Sequence, residues 1–355
     1  MSMISFARGI PAPECLPVEE LADCARAALE RDGRTILSYG PSPGYAPLRE
    51  WIAARHDVDP SRVFLTNGSL QGFVFLAQRL APGKRVLVER PTYDRPLKIL
   101  RELGSEVVGI PCDDEGLDPD ALAAELEHGE KPAFLYLIPT FQNPSGRTLS
   151  EERRRRVVEL ALEHDLLVLE DDPYGLVRFD GEPLPSLFEL SEGAIAYSSS
   201  FSKTIAPGLR VGWFVFPEAL AREIEATATS TYITPVLLGQ ATVHEFVSRG
   251  RFEPNLERVR GLLGARRDAM LAALDRELPD ARITRPDGGY FLWAELDGVD
   301  ATELLARAEA AGVTFVKGTD FDGGPDTLRL AYSFVSLDEI AEGVARLAAA
   351  IPVTA

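Results

Sequence analysis

Short apolar runs alternate with amphipathic segments between residues 63 and 216. The apolar runs predict strands at residues 63–66, 85–88, 107–110, 133–138, 166–169, 194–197 and 211–216. The segments between them predict helices at residues 70–80, 93–103 and 119–126, and a further helix that Ser150 caps and that runs to residue 163. Apolar strands that alternate with helices are typical of a mostly parallel sheet covered on both faces. The pattern therefore predicts an α/β fold.

The pattern changes after Pro217, where longer helical segments are joined by shorter strands. Helices are predicted at residues 218–229, 235–247, 252–277 and 337–349, and strands at 289–295, 313–316 and 327–332. This part predicts a smaller α+β domain. We therefore expect residues 1–38 to form an arm and helix that pack with the small domain, residues 39–232 to form the large domain, and residues 233–355 to form the small domain.

The charge of the chain narrows the class of partners. The 355 residues carry a net charge of −18, which argues against a nucleic-acid or anionic-membrane partner. The basic run Arg153 to Arg156 lies among glutamates in a predicted helix, so a solvated face is expected. No apolar stretch approaches the length of a membrane span, and the N-terminus lacks a signal-peptide pattern. Three cysteines without metal-ligand spacing predict reduced thiols and a cytoplasmic location, and the four histidines form no metal-binding pair.

The segment around Lys203 carries the strongest chemical signal. The predicted strand 194–197 leads into Ser198-Ser199-Ser200-Phe201-Ser202-Lys203, and Arg210 follows seven residues after the lysine. A lysine in such a loop, taken alone, is most often solvated. Hydroxyls and a guanidinium, however, are suited to bind a phosphate monoester beside the amine. A lysine next to an anchored phosphate is what a pyridoxal-phosphate Schiff base requires.

Three other turns follow predicted strands, where ligands bind in open parallel sheets. Gly68-Ser69-Leu70 starts a helix whose amides and dipole favour an anion. The side-chain amide of Asn143 is a candidate donor to a phenolate oxygen, or else it caps its own turn. Asp171 and Asp172 end a buried strand, where a carboxylate needs a cation such as a protonated pyridine, or else they cap a turn.

Four motifs in order give the chain its family resemblance. They are residues 39–49 (Tyr-Gly-Pro-Ser-Pro-Gly-Tyr-Ala-Pro-Leu-Arg), 143–146 (Asn-Pro-Ser-Gly), 171–174 (Asp-Asp-Pro-Tyr) and 200–210, which begins Ser-Phe-Ser-Lys and ends Pro-Gly-Leu-Arg. Over nearly its whole length the chain resembles fold-type I pyridoxal-phosphate aminotransferases. Within them it is most similar to the class I/II branch of 2-aminoadipate and kynurenine aminotransferases and to the aminotransferase-like domain of MocR-type regulators.

The resemblance implies a role for each matching residue. Lys203 forms an aldimine with pyridoxal 5'-phosphate and shuttles a proton, and Asp171, three residues before Tyr174, pairs with the pyridine nitrogen. Tyr174 and Asn143 hold the phenolic oxygen of the ring. The residues implied to contact the cofactor elsewhere in residues 39–232 are Tyr39 (from a neighbouring subunit, which implies a homodimer), Ser69, Leu70, Tyr93 (stacked on the ring), Ser200, Ser202 and Arg210.

The implied substrate residues are Arg329, Asn143, Gly9 and Arg8. Arg329 lies in the apolar strand Leu328-Arg329-Leu330-Ala331-Tyr332 and would clamp the α-carboxylate, the alternative being a structural ion pair. Arg8 stands where the family usually has glycine. If Arg8 and Lys317 point into the same cavity, they favour an acidic or acceptor-rich substrate side chain.

The expected function is transfer of an amino group between an α-amino acid and a 2-oxo acid. One alternative is another pyridoxal-phosphate reaction, namely elimination, replacement or cyclisation. The other is a ligand-sensing module of the MocR type, which needs a DNA-binding domain before the arm, whereas Met1 lies only a few residues upstream of it. Departures from the family pattern at Arg8, Leu70 and Lys317 leave the donor, the acceptor and the pathway open.

Overall fold

The computed structural model describes residues 2–352. The helices are α1 (Val18–Ile36), α2 (Ala46–His56), α3 (Ser69–Leu80), α4 (Asp94–Glu102), α5 (Pro119–Glu127), α6 (Glu151–Glu163), α7 (Leu187–Leu190), α8 (Glu218–Tyr232), α9 (Leu237–Ser248), α10 (Phe252–Glu277), α11 (Ala301–Ala310) and α12 (Leu337–Ala350). The strands are β1 (Ile4–Ser5), β2 (Val63–Thr66), β3 (Arg85–Arg90), β4 (Glu106–Asp113), β5 (Gly116–Leu117), β6 (Leu135–Leu137), β7 (Val168–Asp171), β8 (Ala196–Ser200), β9 (Gly212–Val215), β10 (Arg282–Ile283), β11 (Phe291–Glu295), β12 (Val313–Thr314), β13 (Val316–Lys317) and β14 (Thr327–Ala331).

A large sheet of order β2-β9-β8-β7-β6-β3-β4-β5 confirms the predicted α/β fold. The strands from β8 through β4 are parallel, and β9 runs antiparallel to both β2 and β8. The reason is the connection: β9 follows β8 after residues 201–211 without an intervening α-helix, and so short a link suits an antiparallel return. That link carries Lys203.

Side chains along each strand point alternately to the two faces of the large sheet, so the apolar core lies on both faces. On β6, Leu135 and Leu137 pack in one apolar cluster with Val157 of α6, and Tyr136 packs in the other with Phe73 of α3. Successive side chains of a strand point to opposite faces, so both faces need apolar residues. This explains why the strands read as continuous apolar runs in the sequence.

A second sheet, of order β10-β11-β14-β13, forms the smaller unit and is antiparallel throughout. The N-terminal arm joins this unit, because β1 pairs with β12 and the amide of Ala331 donates to the carbonyl of Phe6 at 2.7 Å. The arm thereby lies beside β14, the strand that holds Arg329.

Helix packing differs from the expected division in one respect. The buried residues Cys24 and Ala28 of α1 lie in one apolar cluster with Ala241 and Phe246 of α9 and with Leu87 of the large sheet. We propose that the arm belongs with the small unit, that α1 belongs with the large one, and that the small unit begins within α10 rather than at residue 233.

Two local predictions need correction. Ser150 occupies the N-cap position of α6, but its side chain makes no capping hydrogen bond. The expected solvated face of the arginine run is wrong at Arg154, which is 1% exposed. Its guanidinium donates to the carbonyls of Leu149 and Pro139 at 2.9 Å and to Oγ1 of Thr140 at 2.8 Å. Arg154 thus anchors the turn that leads to Asn143.

Within residues 2–352, none of the helices combines the length and the hydropathy that a bilayer-spanning segment needs.

Candidate active site

A cavity of about 450 Å³ opens at the carboxyl ends of β6, β7 and β8. This is the edge where open parallel sheets bind ligands. The predicted site residues that line it are Gly9, Ser69, Leu70, Tyr93, Asn143, Asp171, Tyr174, Ser200, Ser202, Lys203, Arg210 and Arg329. The large sheet, the arm and β14 of the small unit all contribute to its wall.

Lys203 lies just beyond β8, with its amine in the cavity. Its Nζ donates to the carbonyl of Gly9 at 2.6 Å and lies 5.1 Å from the ring centre of Tyr290. The Tyr290 hydroxyl donates to the Lys203 carbonyl at 2.9 Å, which holds the main chain. Burial, reinforced by the positive charges of Arg329 and Arg210, lowers the pKa of Lys203 to about 8. About a tenth of the amine is therefore unprotonated at pH 7, far more than for an ordinary lysine.

Asp171 and Asp172 point in different directions, as neighbours on a strand do. Asp171 lines the cavity, and its Oδ2 accepts a 2.8 Å hydrogen bond from the hydroxyl of Tyr136. Burial raises the pKa of Asp171 to about 6. Asp172 instead accepts from the amide of Gly175 at 2.7 Å and from the hydroxyl of Tyr197 at 3.2 Å. Of the two carboxylates, Asp171 is the one available to a ligand.

One end of the cavity combines an arginine, a helix N-terminus and hydroxyls. Helix α3 begins at Ser69, after Gly68 with φ of +87°. Glycine suits this positive φ, and a Cβ on Gly68 would lie 2.1 Å from Nη2 of Arg210, so that this guanidinium would have to move. The Ser200 and Ser202 hydroxyls are 2.8 Å apart and face the same cavity. This end has the donors and the positive charge that a phosphate needs.

Arg329 and Asn143 meet across the cavity. Nη1 of Arg329 donates to Oδ1 of Asn143 at 2.7 Å, and Nη2 donates to the carbonyl of Ala7 at 3.0 Å. The guanidinium carbon lies 4.3 Å from the ring centre of Phe291 and 4.8 Å from that of Phe321. Among residues 2–352 Arg329 has no carboxylate partner, and its Nε is buried without a hydrogen bond. Burial lowers its pKa to about 10. The structural ion pair considered above is therefore not present.

Aromatic rings form the remaining walls. Tyr174 is 4% exposed and packs edge-on against Phe291 at 5.8 Å, while Tyr93 precedes α4 at the cavity edge. Burial raises the pKa of both phenols, so both hydroxyls are protonated donors at neutral pH.

Two predicted site residues lie outside this cavity. The Tyr39 side chain is 83% exposed, and the Arg8 guanidinium lies 5.1 Å from the ring centre of Phe334. Lys317 faces Asp320, with 3.7 Å between Nζ and Oδ1. Neither Arg8 nor Lys317 is among the described residues that line the cavity. These two side chains therefore give no support for an acidic substrate.

Other lining residues were not anticipated from the sequence. Ile10, Arg95 and Phe291 line the cavity, and Tyr136 reaches Asp171 from β6. Tyr136 could have been found by alternation, because it shares a face of the predicted strand with Ile138, which lines the cavity. The contribution of Arg95 depends on where α4 begins, which an apolar pattern locates poorly.

The lining fits pyridoxal phosphate. Oδ1 of Asp171 is buried without a hydrogen-bond partner among the described residues, which is costly unless a ligand donates to it. A protonated pyridine nitrogen is such a donor. The hydroxyl-rich, cationic end of the cavity matches the phosphate, and the buried amine of Lys203 matches the aldehyde.

Comparison with known proteins agrees with this chemistry. A family model described as aminotransferase class I and II matches residues 7–347. The chain is 43% identical to a 2-aminoadipate transaminase of Thermus thermophilus, over 98% of this chain and 90% of that protein. It is 37% identical to aromatic-amino-acid aminotransferase 1 of Thermococcus litoralis, over 98% and 88% of the two chains.

A solved structure extends the similarity to three dimensions. The chain superposes with a TM-score of 0.93 on the alpha-aminoadipate aminotransferase LysN of Thermus thermophilus, complexed with N-(5'-phosphopyridoxyl)-L-leucine. The two are 41% identical, and the match covers 98% of this chain and 92% of the other. The chain therefore belongs to the class I and II aminotransferase family, and it is an enzyme that uses pyridoxal phosphate to move an amino group between an amino acid and a 2-oxo acid.

Proposed function

We propose that the enzyme transfers the amino group of a long acidic α-amino acid, of the 2-aminoadipate class, and that Lys203 is its cofactor-binding and proton-transferring residue. One observation carries the proposed role of Lys203. An amine, a carboxylate with an unpartnered oxygen and a guanidinium without an acidic partner line the same cavity, as Lys203, Asp171 and Arg329.

Each part of the lining has a proposed task toward the cofactor. Bound pyridoxal phosphate supplies an electron sink for the pair of electrons left when a substrate Cα loses its proton. Asp171 would hold the ring nitrogen and its positive charge, and Tyr93 would lie against the ring. Tyr174 and Asn143 would hold the phenolic oxygen. The groups that would bind the phosphate are Ser69, Ser200, Ser202, Arg210 and the amides at the start of α3.

Lys203 would move the proton. Its pKa of about 8 means that the amine takes a proton from a substrate Cα without a large energetic penalty and can return it. The carbonyl of Gly9 and the ring of Tyr290 confine Nζ to the cavity in the absence of a ligand. The residue is thus both buried enough to have a lowered pKa and positioned to reach the substrate.

Arg329 would orient the substrate. The planar guanidinium of Arg329 is suited to bind a carboxylate with two parallel hydrogen bonds. Its hydrogen bonds to Asn143 and Ala7 keep it directed into the cavity. Fixing the α-carboxylate restricts rotation of the amino acid, which places the Cα proton toward Lys203. Positioning of this kind lowers a barrier because orientational entropy is lost on binding rather than in the reaction.

The proposed substrate class rests on Arg95 and on the relatives. Arg95 lines the cavity at the start of α4, has a side chain 59% exposed, and has no hydrogen bond among its contacts in residues 2–352; the nearest carboxylate, Asp94, is 3.8 Å away. A guanidinium at the mouth that has an ion pair but no hydrogen bond favours a distal carboxylate. The 43% identical relative is named for 2-aminoadipate. The 37% identical relative is named for aromatic amino acids, and Ile10 and Phe291 would suit that second class.

We further propose a homodimer as the active unit. Exposed apolar side chains cluster where the loop before α2 adjoins the start of α9, namely Leu37 (70% exposed), Tyr39 (83%), Ile233 (56%) and Val236 (57%). The two segments are in contact, since a Cβ on Gly40 would lie 2.5 Å from Cδ1 of Leu237. A second copy of the chain would cover these side chains and bring the Tyr39 hydroxyl to the neighbouring phosphate site.

A cytoplasmic location is also proposed. Cys15, Cys24 and Cys112 are all free thiols, and two of them are buried. Free buried thiols are typical of a reducing compartment.

The proposal is tested by supplying single amino acids to the cofactor-loaded enzyme and measuring pyridoxamine phosphate by mass spectrometry. We expect 2-aminoadipate to react with the highest kcat/KM. Arg95→Ala should lower this value for acidic substrates only. Arg101→Ala, on the same helix but paired with Asp322, is the matched control.

A preference for aromatic amino acids that Arg95→Ala leaves unchanged would favour the second class. Turnover without pyridoxamine phosphate would indicate elimination, replacement or cyclisation instead.

A further inference from the structure

The two oxygens of Asp171 have different environments. Oδ2 accepts a hydrogen bond of 2.8 Å from the hydroxyl of Tyr136. Oδ1 is buried and has no hydrogen-bond partner among residues 2–352. The protein therefore hydrogen-bonds only Oδ2 of the carboxylate, and Oδ1 remains available to a ligand.

Tyr136 is fixed by the sheet and by its ring. It is the central residue of β6, is 1% exposed, and pairs with Leu169 in the parallel register of β6 and β7. Its ring packs edge-on against Phe73 of α3, with 5.2 Å between the ring centres. The phenol has little freedom to turn away, so its hydroxyl is directed at Asp171 before any ligand arrives.

The hydrogen bond lies beside a recess of about 60 Å³ at the end of the cavity. Apart from Asp171 and the hydroxyls of serine and tyrosine, its walls are apolar and include Leu70, Phe73, Pro96 and Leu169. In such a weakly polar environment a hydrogen bond to a carboxylate is stronger than at the surface, and an unsatisfied carboxylate is more costly. The contribution of Tyr136 is accordingly large.

We propose that Tyr136 is a positioning residue, which holds Oδ2 of Asp171 so that Oδ1 faces the ring nitrogen of the cofactor and the carboxylate remains a weak enough base to leave the proton on that nitrogen. This inference rests on the proposed role of Asp171. Tyr136 acts through Asp171 and does not itself touch the substrate. No other side chain donates to Oδ2 in the described hydrogen bonds.

The groups around Asp171 determine the sign of the effect. Burial raises the pKa of Asp171 to about 6, the hydrogen bond from Tyr136 lowers it, and the charge of Asp172 raises it. Tyr93 also lines the recess beside this carboxylate, and burial, with the charges of Asp94 and Asp171, raises the pKa of its phenol. Removing the Tyr136 hydroxyl takes away a lowering contribution, so the pKa of Asp171 rises. Asp171 then becomes protonated, and loses its charge, at a higher pH than in the wild type.

The test is Tyr136→Phe, which keeps the ring against Phe73. Tyr197→Phe is the matched control, because Tyr197 is also buried in the large sheet and donates to the neighbouring carboxylate of Asp172 at 3.2 Å. Binding of pyridoxal phosphate to the cofactor-free protein is measured across the pH range. In Tyr136→Phe we expect affinity about ten- to one-hundredfold weaker at neutral pH. The pH below which affinity falls should move upward. Neither should change in Tyr197→Phe.

Wild-type affinity and an unchanged pH midpoint in folded Tyr136→Phe would overturn the inference. Thermal denaturation of the cofactor-free variants establishes folding, and Tyr136→Met is the second variant if phenylalanine destabilises the core. Asp171→Asn separates the two proposals. If it binds the cofactor as tightly as the wild type at every pH, the role of Asp171 itself fails. If it weakens binding while Tyr136→Phe does not, only the inference about Tyr136 fails.

Discussion

Nη1 of Arg329 donates a 2.7 Å hydrogen bond to Oδ1 of Asn143, and this bond joins the small unit to the turn after β6. Arg329 comes from β14 and Asn143 from the large-sheet side, so the two elements meet at the cavity. The arm adds a second contact to the guanidinium through the carbonyl of Ala7. The guanidinium is therefore positioned by three separate segments before a substrate binds.

The first prediction concerns this guanidinium. Arg329→Ala should lower kcat/KM for every α-amino acid by about one-hundredfold or more, because two charge-assisted hydrogen bonds to the substrate are lost. The absorbance of the bound cofactor should be retained. Arg178→Ala is the control, since Arg178 also stacks on a phenylalanine, 4.6 Å from the ring centre of Phe141, but pairs with Asp287. Equal losses in the two variants would contradict the assignment.

The second prediction concerns stability. Arg154→Met should lower the free energy of unfolding by about 3 kcal/mol or more, since the buried hydrogen bonds from Arg154 to the oxygens of Leu149, Pro139 and Thr140 are lost. Arg155→Met, on the solvated side of α6 with only an ion pair to Glu151, should change it by less than about 0.5 kcal/mol. Chemical denaturation of both variants gives the comparison. Similar values would mean that burial of Arg154 contributes little.

The third prediction concerns the dimer. Leu37→Asp should shift the enzyme toward monomer in sedimentation experiments, because it places a charge in the exposed apolar cluster of Leu37, Tyr39, Ile233 and Val236. Leu162→Asp, also an exposed leucine but on α6, should leave the assembly unchanged. Tyr39→Phe should keep the dimer and weaken cofactor binding roughly tenfold or more. A fully active Leu37→Asp monomer would contradict the shared site.

The fourth prediction concerns pH. Only the unprotonated amine of Lys203 can attach to the cofactor, and its pKa is lowered to about 8. The rate of covalent attachment of pyridoxal phosphate to the cofactor-free enzyme should therefore fall about tenfold per pH unit below 8 and level off above it. Stopped-flow absorbance measures this rate. A rate that keeps rising to pH 10 would show an ordinary lysine instead.

The regular elements were predictable because apolar periodicity reports burial. The helix predicted at residues 252–277 matches α10, and the strand at 63–66 matches β2. The antiparallel direction of β9 was not predicted, since an apolar run does not show which way a buried strand runs. The burial of Arg154 was missed because neighbouring glutamates suggested a solvated face, whereas its acceptors are carbonyls from distant turns.

Some residues of the site could be predicted from apolar strand patterns, and others could not. Lys203, Asp171 and Arg329 follow or lie within apolar strands, so their positions at a sheet edge could be inferred. Tyr136 depends on the register between β6 and β7, and Arg95 depends on the first turn of α4. Arg8 was expected near the substrate, but it stacks on Phe334. Side-chain direction in an irregular arm is set by tertiary contacts that no local pattern records.

The most direct test of the account is the site of cofactor attachment. The chain has five lysines, so the alternatives to Lys203 are Lys84, Lys98, Lys131 and Lys317. Borohydride reduction of the loaded enzyme, followed by peptide mass spectrometry, identifies the modified residue. We expect one phosphopyridoxyl adduct on Lys203, and none in a folded Lys203→Ala protein. A reduced adduct on a peptide that lacks Lys203 in the wild-type enzyme would contradict it.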